Sequence, residues 1–367
     1  MDHLSDYVRW MQDFPISMTG FRDEDAVILC ALSYFDLSPL FSSGSECPTV
    51  RDCGQLIKNG QLRVLVTGSS EGYPELLAHA SASRRFGDLR LLDYVDTVRH
   101  DPPLQFSAVC FRDSFGFAFL AYRGTDNSLA GWKEDFMISF TRTEAQELAL
   151  RYAEAHVLPG RHWYIGGHSK GGNLALYASC LLSERKWSWV ERLYLLDGPG
   201  FCPEVLDQSL LKRVDPKAVR ILPSFCIIGN LFAPQITDTR IVRSFAGNYS
   251  QHAPITWGID HGRLALAKEH DRESQIISDT LNEWVSGISQ EDRLLLTEEL
   301  FQVLTAGGAE TVEHLQKGGF DGLEAILRQF VESSEATRNI LSDLPKVNWK
   351  IRMEALRRRM KKDSPEE

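Results

Sequence analysis

The sequence predicts an α/β fold, with a mostly parallel central sheet, helices on both of its faces and a helical C-terminal addition. Between about residues 106 and 245, short apolar runs typical of strands alternate with helix-forming segments, which is the pattern of a parallel sheet. Beyond residue 265 helical periodicity dominates. We therefore expect one domain over residues 1–265, with N-terminal helices in 1–41, and a helical region over 266–367.

The first part of the chain is predicted to hold two short helices, a long loop and a hairpin. Apolar residues at helical spacing predict helices over residues 4–11 and 24–35. Residues 42–75 are polar and contain Gly, Ser and Pro, so we expect mainly loop there. Two apolar runs, 106–111 and 115–122, flank three polar residues and predict a β-hairpin.

The second part of the chain is predicted to continue the alternation. Thr143 and Gln146 form a capping-box pattern that predicts a helix to about residue 156. Further apolar runs predict buried strands over residues 193–196, 224–232 and 241–245.

The stretch Gly166-Gly167-His168-Ser169-Lys170-Gly171-Gly172 contains the pattern Gly-x-Ser-x-Gly. An apolar run precedes it and a helix-forming run follows it, so strand, tight turn and helix are predicted in succession. A serine on such a turn projects its hydroxyl from the sheet, and the N–H of Lys170 lies at the start of a helix, where it can stabilise an oxyanion. The alternatives are a solvated serine on a Gly-rich turn and a phosphate loop. The phosphate loop is disfavoured because it needs Gly-Lys followed by Ser or Thr.

The composition excludes several classes of protein. The 367 residues carry a net charge of −10, which argues against general nucleic-acid binding. Seven scattered cysteines without a Cys-x-x-Cys pair predict neither a disulfide framework nor a zinc site. The acidic N-terminus is unlike a signal peptide, and no apolar run approaches the length of a membrane span. A cytoplasmic protein is expected.

Four segments together resemble a known family. The run from Tyr122 to Asp126, followed by Trp132 and Asp135, is similar to the oxyanion-strand motif of class 3 lipases, and residues 167–175 resemble their nucleophile turn. Residues 197–201 and 251–257 resemble a bacterial branch of the same superfamily with a Gly-His-Ser-Lys-Gly-Gly turn. The likeness covers about residues 1–340. It implies the α/β-hydrolase fold and serine hydrolase chemistry, without a substrate.

The resemblance implies a Ser, acid, His order for the catalytic residues. Ser169 is the predicted nucleophile. His252, in a short loop after a strand, is the favoured base, with His261 as the alternative. Asp197, at the end of the strand after the nucleophile helix, is the favoured acid, as in pancreatic-type lipases, and Asp238 is the alternative. The Asp-x-Val-Pro segment that usually carries the acid of class 3 lipases is not found.

Four further residues receive supporting roles. By resemblance, the N–H of Thr125 is the second oxyanion donor beside that of Lys170, and Asp135 holds the Thr125 loop. His168 is expected to orient the nucleophile turn. The Lys170 ammonium either attracts an anionic group of the substrate or, as we favour, pairs with a neighbouring carboxylate.

The expected function is therefore esterase or lipase-like cleavage of acyl esters, without a cofactor or a metal. The alternatives are a non-catalytic binding module with this fold and a serine peptidase or thioesterase. The segment 346–362 holds eight basic residues and one acid, with Trp349, Met353, Leu356 and Met360 at helical spacing. It is either a peripheral membrane contact or, more often for such segments, a helix packed on the body of the protein.

Overall fold

A sheet of eight strands lies at the centre of the protein. The structure is a computed structural model and describes residues 1–42, 47–66, 70–126 and 129–305. The strands are β1 (Arg90–Arg99), β2 (Leu104–Arg112), β3 (Phe117–Tyr122), β4 (His162–His168), β5 (Val190–Leu196), β6 (Ala218–Pro223), β7 (Thr239–Val242), β8 (Ile259–Asp260), β9 (Arg263–Leu264) and β10 (Leu266–Ala267). All except β8 and β9, which pair with each other, belong to the central sheet.

The strands of the central sheet lie side by side in chain order. Strands β3 to β7 are parallel, whereas β1 and β2 pair antiparallel at one edge and β10 pairs antiparallel with β7 at the other. Parallel strands end at the same edge, so the loops that follow β3, β4, β5 and β6 converge there. This mostly parallel sheet with helical crossovers confirms the predicted α/β-hydrolase fold.

Helices surround the sheet in the described part of the chain. They are α1 (Leu4–Met11), α2 (Ile16–Thr19), α3 (Asp23–Leu32), α4 (Ser38–Ser42), α5 (Val50–Lys58), α6 (Tyr73–Ala82), α7 (Leu129–Met137), α8 (Glu144–His156), α9 (Lys170–Leu181), α10 (Glu184–Trp187), α11 (Leu211–Val214), α12 (Arg272–Gly287) and α13 (Gln290–Thr305).

The sheet separates two apolar cores. Alternate residues of a strand point to opposite faces, and in β3 Phe119 enters one core while Leu120 enters the other. The N-terminal helices α1, α3 and α6 cover the first face, with Val27 among their buried residues. Helices α8 and α9 cover the second face, with Leu174 and Tyr177 fully buried. Residues 1–41 are thus an integral layer of the fold.

Several predicted elements are confirmed. Helix α1 has the predicted bounds, and α3 covers most of residues 24–35. The predicted hairpin is the antiparallel pair β2–β3. Thr143 precedes α8, and its N–H donates to the side chain of Gln146 at 3.0 Å, as the capping-box pattern predicted.

Other predictions were wrong. Residues 42–75, predicted to be mainly loop, contain α5, which was missed because Asp52 stands where the capping-box pattern has Glu or Gln. The strand predicted over residues 224–232 is instead a loop with a short 3₁₀ turn, Ile228–Asn230, and the strand is β6 directly before it. Phe225, Cys226 and Ile227 of this apolar run are buried, although they lie in a loop. Strand β1 was not predicted. Strand β7 ends at Val242, earlier than the predicted residue 245, and the short strand β10 lies in the region that was predicted to be helical.

Candidate active site

Ser169 occupies the sharp turn between β4 and α9. Its backbone has φ 57° and ψ −128°, a left-handed conformation that is unfavourable for a residue with a side chain. The turn is held by the Ser169 N–H, which donates to the carbonyl of Leu196 at 2.9 Å. Helix α9 begins at the next residue, so the N–H of Lys170 has no acceptor within the helix. The predicted strand, tight turn and helix are therefore present.

Two glycines allow this turn to close. A Cβ at Gly167 would lie 2.2 Å from the carbonyl of Gly171, and a Cβ at Gly171 would lie 2.1 Å from the carbonyl oxygen of Tyr122. Both distances are far below van der Waals contact, so any side chain at either position would force the backbone apart. The outer residues of Gly-x-Ser-x-Gly are thus required by close backbone packing against the end of β3.

Asp197 follows β5 and is almost completely buried, with 1% of its surface exposed. Its Oδ2 lies 2.6 Å from Nδ1 of His252. Its Oδ1 accepts from the thiol of Cys226 at 3.1 Å and from the N–H of Gly229 at 3.0 Å. Burial favours a raised pKa for this carboxyl, but the charge of His252 and the hydrogen bonds from His252 and Cys226 outweigh it, so the pKa of Asp197 is below its ordinary value.

These contacts decide the tautomer of His252. An ionised Asp197 only accepts hydrogen bonds, so the neutral imidazole of His252 carries its proton on Nδ1 and has its lone pair on Nε2. The residue ends the 3₁₀ turn Asn248–His252, and its side chain is 32% exposed. Its ring centroid lies 4.6 Å from that of His168, the residue directly before Ser169. The structure thus places an oriented imidazole beside the nucleophile turn.

The alternative acid and base lie elsewhere. Asp238 forms ion pairs with Arg192 at 2.6 Å and Arg240 at 2.8 Å, and both arginines are partly exposed. His261 has 95% of its side chain exposed and pairs with Asp260 at 2.9 Å. The structure therefore brings together His252 and Asp197, the favoured pair.

The loop after β3 packs against the nucleophile turn. A Cβ at Gly124 would lie 2.7 Å from the carbonyl oxygen of His168 and 3.2 Å from the Cβ of Ser169, so only a glycine fits there without moving the backbone. The hydroxyl of the next residue, Thr125, donates to Oδ2 of Asp135 at 2.5 Å. Burial raises the pKa of Asp135 despite the nearby Lys170 and the Thr125 hydrogen bond. The side chain of Trp132 lies outside the described residues.

Lys170 is completely buried and points away from the solvent. Its ammonium donates to Oε2 of Glu134 at 2.5 Å and to the backbone and side-chain oxygens of Gln105 at 2.6 and 3.0 Å. Glu134 also accepts from the N–H of Gln105 at 2.9 Å. The carboxylate partner that the sequence favoured is therefore present, and the ammonium does not face a substrate. Glu134 was not identified from the sequence. The only feature that could have pointed to it is that it is a carboxylate directly before Asp135.

His168 contacts two parts of the chain that are distant in sequence. Its Nδ1 lies 2.7 Å from the hydroxyl of Tyr34, and its Nε2 lies 2.7 Å from the carbonyl oxygen of His252. Burial, followed by the charge of His252, lowers its pKa from 6.5 to about 3. His168 is consequently neutral at physiological pH. A ring with so low a pKa is a weak base, and both of its nitrogens are already hydrogen-bonded, which makes His168 unsuitable as a general base. The sequence did not single out Tyr34 or Cys226.

In the part of the chain that the structure describes, no group of three or more His, Cys, Asp or Glu side chains is arranged to hold a metal ion. No helix of that part is both long and apolar enough to cross a bilayer. The basic segment 346–362 lies outside the described residues.

Comparisons with known proteins identify the family. Two solved lipases show weak similarity: M37 lipase, 15% identical with a TM-score of 0.34 over 57% of this chain and 70% of its own, and a fungal lipase in complex with an inhibitor, 14% identical with a TM-score of 0.34 over 61% and 79%. At this level the fold assignment rests on the strand order and the turn geometry above. Curated protein sequences give no match. The model of the Mbeg1-like family matches residues 80–302, which is more than half of the chain, and the protein therefore belongs to the Mbeg1-like family.

Proposed function

We propose that this protein is a serine hydrolase that cleaves acyl esters through an acyl-enzyme intermediate. One observation carries the proposal: the buried Asp197 orients His252 beside the strained turn that presents Ser169. A strained backbone is retained only where the surrounding structure enforces it, and such strain is concentrated at functional sites. A buried aspartate on the Nδ1 side of a histidine beside such a serine is the arrangement that activates a hydroxyl for acyl transfer.

In the first half of the reaction, Ser169 Oγ attacks the carbonyl carbon of the ester while Nε2 of His252 takes the hydroxyl proton. The carbonyl oxygen becomes an oxyanion. It would accept hydrogen bonds from the N–H of Lys170, at the start of α9, and from the N–H of Thr125, whose loop contacts the nucleophile turn. Collapse of the tetrahedral intermediate breaks the ester C–O bond, and the imidazolium gives its proton to the leaving alcohol.

In the second half, water attacks the acyl-enzyme and His252 again takes the proton. The C–O bond to Ser169 breaks, the serine regains a proton from His252 and a carboxylic acid leaves. Asp197 stabilises the imidazolium in both halves without taking its proton. This role agrees with the lowered pKa of Asp197, which keeps the carboxyl ionised.

The contacts around Lys170 bear on the choice of substrate. Because its ammonium is buried against Glu134 and Gln105, it does not supply a positive charge for an anionic substrate group. We therefore propose a neutral acyl ester, such as a lipid ester, at the reacting centre. Thioesters and amides would react by the same steps, so the test must include them.

The experiment combines active-site labelling with a substrate panel. The full chain should react with a fluorophosphonate and hydrolyse p-nitrophenyl esters from acetyl to palmitoyl, and the folded Ser169→Ala variant should do neither. Corresponding thioesters and p-nitroanilides measure the competing activities. A wild-type chain that is folded but neither labelled nor active on any of these substrates would contradict the proposal and favour a non-catalytic binding module.

A further inference from the structure

The hydroxyl of Tyr34 lies where three segments of the candidate site meet. It is 2.7 Å from Nδ1 of His168 in the nucleophile turn. A Cβ at Gly124, in the loop before Thr125, would lie only 2.1 Å from the same hydroxyl. Through the ring of His168, the hydroxyl is connected to the backbone of His252. Tyr34 itself comes from the N-terminal layer and is only 3% exposed.

The partners of His168 leave it a single neutral state. The carbonyl oxygen of His252 can only accept, so Nε2 of His168 must carry the proton that bridges the 2.7 Å distance. In a neutral imidazole the other nitrogen then has a lone pair, and Nδ1 accepts from the O–H of Tyr34. The Tyr34 hydroxyl therefore donates to His168, and His168 donates to the carbonyl of His252. Flipping the imidazole ring about its Cβ–Cγ bond would lose both hydrogen bonds.

The turn that carries His252, Asn248–His252, is also held at a second point. The indole N–H of the buried Trp257 donates to the carbonyl of Gln251 at 2.8 Å. The side chain of Gln251 accepts from the Ser224 hydroxyl and the Phe225 N–H, both at 2.9 Å. Among these contacts, only the one through His168 connects the loop directly to the nucleophile turn, because His168 is the chain neighbour of Ser169.

We infer that Tyr34 and His168 form a positioning relay, in which the Tyr34 hydroxyl fixes the ring of His168 and that ring fixes the backbone of His252 relative to Ser169. The inference rests on the proposed function, since it gives His252 the role of base. Proton transfer between Ser169 and His252 requires close and correct geometry, and misplacement by about 1 Å costs roughly a hundredfold in rate. Neither Tyr34 nor His168 exchanges a proton with the substrate in this scheme.

Four single variants of the full chain test the relay. Tyr34→Phe removes the first donor, and His168→Leu removes the whole connection. His168→Gln restores an N–H donor near the position of Nε2. Tyr73→Phe is the matched control, because Tyr73 is a second buried tyrosine, whose ring lies 6.2 Å from that of Tyr34.

Measured on an ester that the wild type cleaves, Tyr34→Phe and His168→Leu should lower kcat by about tenfold to a hundredfold, with little change in KM. Tyr73→Phe should remain near the wild type, and His168→Gln should recover most of the activity lost in His168→Leu. Wild-type kcat in folded Tyr34→Phe and His168→Leu, or an equal loss in Tyr73→Phe, would overturn the relay while leaving the proposed function intact.

A measurement that does not require catalytic activity tests the relay separately from the proposed hydrolase function. Nitrogen-15 NMR of the histidine rings, on Ser169→Ala protein at neutral pH, should show His168 neutral with its proton on Nε2. Tyr34→Phe in that background should speed amide hydrogen exchange in residues 248–252, where Tyr73→Phe should not. A charged His168, a proton on Nδ1 or unchanged exchange would overturn the relay even if the protein proved to have no hydrolase activity.

Discussion

Nδ1 of His252 lies 2.6 Å from Oδ2 of Asp197, although the two residues are 55 positions apart in the chain. The carboxylate is nearly inaccessible to solvent, and the thiol of Cys226 and the N–H of Gly229 hold its other oxygen. Two donors on one oxygen leave the second oxygen directed at the histidine. This fixed orientation is the basis of the first two predictions.

Asp197→Asn should lower kcat by up to about 10⁴, because an amide in place of the carboxylate favours the wrong tautomer of His252. Asp238→Asn is the control, since Asp238 is paired with Arg192 and Arg240 and should have little effect on kcat. Steady-state kinetics on the same ester measure both. A severe loss in the Asp238 variant, with Asp197→Asn near wild type, would transfer the acid role to Asp238.

His252→Ala should lower kcat by several orders of magnitude, because no other neutral imidazole is oriented by a buried carboxylate in the described part of the site. His261→Ala should behave as wild type, since His261 is exposed and pairs with Asp260. Loss of activity in the His261 variant instead would refute the assignment.

Breaking the buried pair of Lys170 and Glu134 should destabilise the protein. Either Lys170→Met or Glu134→Gln leaves one buried group without its opposite charge, which typically costs about 3–5 kcal/mol. The double variant should cost clearly less than the sum, because neither charge then remains. Urea unfolding of the four proteins measures this coupling, and purely additive losses would show that the two groups do not stabilise each other.

Stability should depend on pH through His168. The pKa of His168 is lowered from 6.5 to about 3 in the folded state. As the pH falls below about 6.5, His168 therefore binds a proton in the unfolded chain but not in the folded protein. Its contribution to the free energy of unfolding is present above that pH and is lost progressively towards about pH 3, by up to about 1.4 kcal/mol per pH unit. The stability of wild type relative to His168→Gln should therefore decrease in acid. A difference independent of pH would contradict the neutral, buried state of His168.

Contact of the basic segment 346–362 with an anionic membrane is the less favoured of its two interpretations, and vesicle binding tests it. Each Lys or Arg near such a surface contributes about 1 kcal/mol, and salt weakens the attraction. The full chain should co-sediment with phosphatidylserine vesicles at low salt more than a variant ending at Pro345, and neither should bind neutral phosphatidylcholine vesicles. Equal sedimentation of the two chains would refute membrane contact through this segment.

Local patterns in the sequence predicted much of the fold. The Gly-x-Ser-x-Gly run predicted the turn at Ser169 because its glycines and flanking segments act over a few residues. The capping residues of α8 and the hairpin β2–β3 are local in the same sense. Prediction failed at residues 224–232, because a buried loop and a buried strand both contain apolar residues. The local sequence pattern does not distinguish the two.

The sequence by itself determined the strand, turn and helix around Ser169 and the short lists of candidate acids and bases. Only the tertiary structure decided that Asp197, and not Asp238, meets His252, that Lys170 is directed inward to Glu134, and that Tyr34 reaches His168 from the N-terminal layer. The physical reason is that backbone turns and periodicity are set by neighbouring residues. Hydrogen bonds between residues 36 to 134 positions apart depend instead on how the sheet places the ends of its strands.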